Sequence, residues 1–534
     1  MMRTIVTGVA AAFCMFLLVP TNVRADVIVT EIDGGIRFTV DGKLFSEWRT
    51  KDWVAPFLYP VIGPNGETVT RHYPMKAGMP GEEQDHPWHR SIRFSHSDVN
   101  GFNFWWAPGK ERAGHTAEIK LEKIERLTSG KSGEAILWNE WLGDGKRVLR
   151  ERVRLAVTPL PHGETLLDYD VELYADDGPV KFGDKRDGGL LVRVAGTMKA
   201  EDEKGNKFAG TIVNSFGDKN QDAWGKRAEW TDYFGPDASG KTVGIAMFDH
   251  PLNLRFPTHW HARTYGLLTA NRFGTDHFQG KYGDHRSLIC APSKGANCPA
   301  CASHSGDYEI PAGRSIALRN RFFFHHGDPK TGDAKTGNVA AQYSAYTADP
   351  KATVAVMKSL MQQYKSAALV ERYADLDIEA WPAEFAAEKS EALRLRAAAY
   401  GVVKKGTHAE ADYKAALALN PKDLFAWIGL ADNYLNVLGD GPQAVAAYRK
   451  VVEMSGKNAG WMPLHATLAI AREAVDRAKP EEALEILQQF DGVTMAPVWR
   501  VKILRMFGHA YAAQGREAES LARFREAIEL EGPK

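Results

Sequence analysis

The sequence predicts a large antiparallel β-sandwich followed by an α-helical repeat solenoid, and three observations carry that prediction. From Asp26 to about Asp328, short apolar runs alternate at period two, punctuated by Gly, Asp and Pro. After about Ala345, alanine, leucine and charged residues dominate and the period becomes helical. Within that helical stretch the pattern of small and aromatic residues repeats.

The strand signals run in order. Val27–Thr30 and Ile36–Val40 flank Asp33-Gly34-Gly35, a hairpin signature. A second hairpin runs from Thr116 through Leu127, turns between Gly130 and Gly133, and returns through Leu137. Alternation recurs in Val148–Val157, Leu166–Tyr174 and Ile316–Phe324. About 300 residues exceeds a small sandwich, so two sheets of long strands, a supersandwich, fit residues 26–330 best. Residues 331–387 read as a helical connector and residues 388–534 as the repeat domain.

The repeats come into register on Ala397, Tyr400, Ala409, Tyr413, Ala416 and Pro421. The same phase carries Trp427, Leu430, Ala431, Tyr434, Ala444 and Tyr448, and later Gly508, Tyr511, Phe524 and Ala527. A weaker unit lies around Ala471 and Ala483. This stretch resembles TPR repeats, the 34-residue helix-turn-helix unit, against the alternative of a generic helical bundle. The resemblance implies a surface that binds a protein or peptide.

Residues 1–25 have the layout of a signal peptide: Arg3, an apolar run from Ile5 to Val19, then Val23-Arg24-Ala25. The alternative is an uncleaved anchor, for which the run is short. The expected location is periplasmic or secreted, with no stable membrane span. Lys plus Arg balances Asp plus Glu at 67 each, which argues against a general nucleic-acid binder. Cys290, Cys298 and Cys301 share one Gly/Pro/Ser-rich segment. An oxidising compartment favours a disulfide between two of the three, while Cys298-Pro-Ala-Cys301 also has redox and zinc spacing.

Two polar clusters carry the chemistry. The first is Asp85-His86-Pro87-Trp88-His89-Arg90-Ser91, extended by His96, Asp98, Asn100 and Trp105-Trp106. The second is Asp249-His250-Pro251, His259-Trp260-His261, Arg263, Asn271, Asp276 and His277. Residues two apart on a strand face one side, so His259 and His261 point together. Two readings stand: the histidines satisfy buried turns, or they converge with Asp85 and Arg90 in one pocket. That pocket could hold a divalent metal on His86, His89, His259 and His261. Trp88, Trp105, Trp106 and Trp260 beside these groups suit a sugar ring, or else fill space between the sheets.

The runs Leu58–Pro64, Thr70-Arg71, Tyr73-Pro74-Met75, Asp85–Ser91 and Asp98–Gly101 resemble the PmoA-like domain family. So do Asp249-His250-Pro251, Pro257, Trp260-His261, Tyr265-Gly266-Leu267 and Asn271, so that the likeness spans Trp48 to Asp328. In Asp184-Lys185-Arg186-Asp187-Gly188, Asp187 stands where the family carries a Glu; the cysteine segment after Arg286 departs from the pattern. The resemblance implies an exported β domain associated with carbohydrate use, with a galactose-mutarotase-like supersandwich. On that basis His86, His89 and His261 are expected to move protons, since imidazole suits that work. Asp187 or Asp276 would partner them. Arg71, Arg90, Trp88, Trp260, Arg263 and Asn271 would bind substrate. The alternatives are a non-enzymatic scaffold and a metal-dependent oxygenase or hydrolase built on the clustered histidines.

Overall fold

The computed structural model describes residues 26–51, 53–79, 82–106, 115–280, 306–327, 338–456 and 460–532. Residues 1–25, expected to be a signal peptide, and Cys290, Cys298 and Cys301, two of which are expected to form a disulfide, lie outside them.

Strands come first: β1 (Val27–Ile32), β2 (Gly35–Val40), β3 (Lys43–Arg49), β4 (Phe57–Val61), β5 (Ile92–His96) and β6 (Ala117–Thr128). There follow β7 (Gly133–Gly143), β8 (Lys146–Pro159), β9 (Thr165–Tyr174), β10 (Val180–Phe182), β11 (Gly188–Arg193) and β12 (Thr211–Asn214). The last are β13 (Trp230–Pro236), β14 (Thr242–Asp249), β15 (His259–Arg263), β16 (Leu267–Asn271), β17 (Tyr308–Ile310) and β18 (Ser315–His326). They form two eight-stranded antiparallel sheets, ordered β1-β2-β3-β4-β5-β11-β16-β15 and β12-β13-β14-β18-β9-β8-β7-β6. β10 and β17 pair separately.

The sheets face each other across one hydrophobic core. Phe45 meets Phe324, Trp48 meets Tyr169 and Phe94 meets Trp141, each pair bridging the two sheets. β8 shows why the sequence folds this way. Leu149, Val153, Leu155 and Val157 face the core, while Arg150, Arg152 and Arg154 face out to Glu122, Glu125 and Glu134.

The outward face of the second sheet turns apolar at Leu166, Ala246, Phe248 and Phe323. Val339 and Tyr343 of the helix α2 (Val339–Tyr346) cover it; α1 is the short helix Thr275–Gly280. The helices α3 (Pro350–Gln362) and α4 (Ser366–Tyr373) follow. Four helical pairs come next: α5 (Ala386–Val402) with α6 (Gly406–Leu419), and α7 (Leu424–Asn433) with α8 (Gly441–Ser455). The others are α9 (Trp461–Asp476) with α10 (Pro480–Gln488), and α11 (Pro497–Ala513) with α12 (Glu517–Glu531). Their packing is the one the repeat pattern anticipates. Gly429 lies where a Cβ would fall 2.4 Å from the Tyr413 hydroxyl, and Gly508 where one would fall 2.7 Å from the Phe524 ring.

The connector is more than a link. Val354, Met357, Leu360, Leu369 and Tyr373 share one core with the repeats. No helix among the described residues is long and apolar enough to cross a membrane.

Candidate functional site

The first sheet carries a cleft on its outward face. In β11, Leu190 and Val192 point into the main core. Leu191 points out, where it joins Leu267 and the buried ring of Trp105. Trp88, Trp106 and Tyr265 pack on this floor. Above it opens a cleft of about 670 Å³ lined by His86, His89, His261, Arg263, Arg186 and Asp187 among others, with Glu201, Asp202 and Glu203 on its rim.

At its centre Asp85 and His86 form a pair. The loop between β4 and β5 turns sharply at His86, whose φ is 40°. The His89 backbone N–H donates to the His86 carbonyl at 2.9 Å. His86 Nδ1 lies 2.5 Å from Asp85 Oδ2. Two buried guanidiniums hold the same carboxylate. Arg193 Nη2 donates to its oxygens at 2.9 and 3.0 Å, and Arg71 donates to Oδ1. Arg71 also donates to the His86 carbonyl at 2.9 Å, so it fixes the loop as well as the charge. Burial alone would raise Asp85. The bond to His86 and the charges of Arg193 and Arg71 outweigh it and hold the carboxyl well below its usual range.

The His86 ring is sandwiched. It stacks on His89 at 4.8 Å with the planes 3° apart, and on Tyr265 at 5.5 Å. Orientation by Asp85 at Nδ1 leaves the far nitrogen of His86 to the cleft. His89 and His261 are buried. Burial, then neighbouring cations (Arg193 for His89, Arg263 for His261), push both imidazoles well below their ordinary value, so both are neutral near pH 7. Arg263 Nε donates to His261 Nε2 at 3.1 Å.

The residues expected from the sequence divide clearly. His86, Trp88, His89, Asp187, His261 and Arg263 line the cleft. Arg71 stands behind it on Asp85. Asn271 also supports it: its amide donates to the carbonyls of Lys185 and Arg186 at 2.8 and 2.9 Å and sets the loop that carries Asp187. Four residues fall elsewhere. The Arg90 guanidinium lies 3.9 Å over the Trp53 ring. Trp260 faces the core and donates to the Ala228 carbonyl. Asp276 accepts from the Gly306 N–H. His259 does share a strand face with His261, but its Nδ1 is bound to the Gly225 carbonyl at 2.8 Å and its ring stacks on Phe278.

The four histidines therefore do not assemble as a ligand set. Among the described residues, the group whose ligand atoms lie within 4.8 Å of one another is Asp85, His86 and Glu203. It does not fit a divalent ion, because both Asp85 oxygens already face arginines and a cation there would meet two guanidiniums.

Sequence reasoning passed over Arg193, although a signal was present. Arg193 closes the apolar run Leu190-Leu191-Val192, which carries it into the interior, and a buried charge needs a partner. The rim acids Glu201 and Glu203 sit in a polar turn that carries no such signal.

No curated protein matches this chain. Solved structures do. A MamA structure from MSR-1 is 17% identical with a TM-score of 0.28, over 35% of this chain and 96% of that one. A MamA structure from AMB-1 is 18% identical with a TM-score of 0.27, over 34% and 96%. A kinesin light chain from Podosopora anserina with nearly identical TPR-like repeats is 16% identical with a TM-score of 0.30, over 34% and 96%. The model of a family of unknown function, DUF6807, matches residues 35–337, more than half of the chain, and the protein belongs to that family.

Proposed function

We propose that the β domain binds a carbohydrate in this cleft and that His86, oriented by Asp85, exchanges a proton with it. The observation that carries the reading is the Asp85–His86 pair beneath an aromatic-walled cleft. A carboxylate on one imidazole nitrogen fixes the tautomer and leaves the other nitrogen to the ligand, the usual arrangement of a positioned general base. Trp88 and Trp106 supply apolar faces for the C–H side of a sugar ring. Arg263, Arg186, Asp187 and Glu203 supply partners for its hydroxyls. The motif resemblance to PmoA-like domains, with its mutarotase-like sandwich and link to carbohydrate use, points the same way. The leader-like residues 1–25 support an exported, periplasmic setting. The helical array would hold a protein segment.

The test is a glycan array probed with the wild-type protein and with His86→Ala, His89→Ala and His261→Ala. Each substitution should abolish binding while the melting transition survives, and paired substitutions should be less than additive because they act on one site. Unchanged glycan binding in all three variants would sink the assignment. Binding without turnover of the bound glycan would favour the scaffold reading over catalysis.

A further inference from the structure

The cleft does not stand alone. A second hollow of about 470 Å³ lies beside it, and Trp106, Arg186 and Asp187 line both. Ser97, Lys185 and His277 line the second hollow and not the first. The ridge between the two is built rather than incidental. Trp106 is pinned at two points: its indole N–H donates to Asp187 Oδ2 at 3.3 Å and its backbone N–H to Asn103 Oδ1 at 3.0 Å. The Asp187 carbonyl accepts from the Ser97 N–H at 2.9 Å. Asn271 holds the two preceding carbonyls from below. A half-buried indole fixed in this way presents a rigid face to a ligand that passes from one hollow to the other.

Resting on the carbohydrate reading, we propose that the two hollows are one groove and that its ligand is an oligosaccharide of at least two sugar units. One unit sits against His86 and the next crosses Trp106 into the hollow beside Ser97 and Lys185. The first hollow alone is already larger than a single hexose needs, since pockets of about 300–1,000 Å³ enclose drug-sized ligands. The second adds polar partners of its own, in which Lys185 faces Asp98 at 3.6 Å.

The experiment is calorimetric titration of the full-length protein. Its probes are the monosaccharide, disaccharide and trisaccharide of the linkage series that binds best on the glycan array. The disaccharide should bind at least about tenfold more tightly than the monosaccharide. Ser97→Phe, which fills the second hollow, should erase that gain and leave monosaccharide binding unchanged. Lys185→Ala should reduce the gain in the same direction and covers the case in which Ser97→Phe does not fold. Equal affinity for all three lengths, or a gain that both variants leave intact, would overturn the groove while leaving the carbohydrate reading in place. Failure of every glycan to bind would remove that reading, and the groove with it.

Discussion

Replacing Asp85 by asparagine takes a negative charge from between two buried guanidiniums. Arg71 and Arg193 each bond Asp85, and only 2% of each arginine side chain is exposed. Burial, and then Arg193 beside it, already push the Arg71 guanidinium down to about 10 with the carboxylate in place. Without the carboxylate the two cations face each other uncompensated. Breaking a buried pair from one side costs about 3–5 kcal/mol. For a β domain of about 300 residues that corresponds to a fall in Tm of roughly 5–8 °C. The pH dependence has a definite sign. Asp85 ionises more readily in the folded protein than in the unfolded chain, so its contribution is present above the ordinary carboxylate pKa and is lost as pH falls through the lower folded value. Wild type should therefore lose stability on acidification below about pH 4, and Asp85→Asn should lose less over the same range. Adding Arg193→Gln to Asp85→Asn should recover part of the loss, because it removes the repulsion. Differential scanning calorimetry reads all three proteins. A variant that melts within about 1 °C of wild type near neutral pH would refute the claim that this carboxylate holds the site together.

Glu151 faces the core between Leu149 and Val153, with Asn139 and Trp141 donating to it at 3.0 and 3.1 Å, and burial pushes its carboxyl up to about 7. The folded state holds that proton more tightly than the unfolded chain, so stability should fall by about 3 kcal/mol as pH rises from the ordinary carboxylate range through 7. Urea titrations of Glu151→Gln should show that loss removed. Gly189 has a φ of 94°, and a Cβ there would lie 2.0 Å from the Ala270 carbonyl oxygen. Gly189→Ala should cost about 2 kcal/mol or more, and should weaken ligand binding by displacing neighbouring Asp187; chemical denaturation and the glycan assay check the two parts. A fragment of residues 349–534 should fold alone as helix by circular dichroism. One starting at residue 381 should melt lower, because it lacks α3 and α4, which share the repeat core.

The fold was legible where burial imposes a period. The alternation of Val148–Val157 put β8 in place, and the in-phase small residues gave the helical pairs, because each reports a face that must be buried. The same alternation put His259 and His261 on one face, and it equally sends Trp260, expected to bind substrate, to the opposite, core face. It could not tell that Gly225 takes the Nδ1 of His259, since that carbonyl comes from a loop more than thirty residues earlier. The Asp85–Ser91 run stood out as a polar cluster, yet it could not separate His86 and His89, which line the cleft, from Arg90, which lies over Trp53. That division depends on a turn with positive φ at His86 and Ser91, a conformation the residue types do not announce. Arg193 was missed for a different reason: it lies far along the chain from the carboxylate that requires it.

The seat of the helical array on the β domain sets how a protein segment held there, as proposed, would meet the cleft. α2 covers the second sheet, the Tyr343 hydroxyl donates to the Asp249 carbonyl at 3.2 Å, and Arg372 pairs with Glu229 at 2.8 Å. A Gly/Ser tether would let the two units drift and would offer any bound segment to the cleft at a concentration set by tether length. A packed mount fixes distance and direction instead. A segment held on the repeats would then either reach a ligand in the first sheet's cleft at very high effective concentration or not reach it at all. Selection between partners would thus rest on reach and geometry as much as on affinity, and lengthening the α2–α3 junction should change which partners work without changing which ones bind.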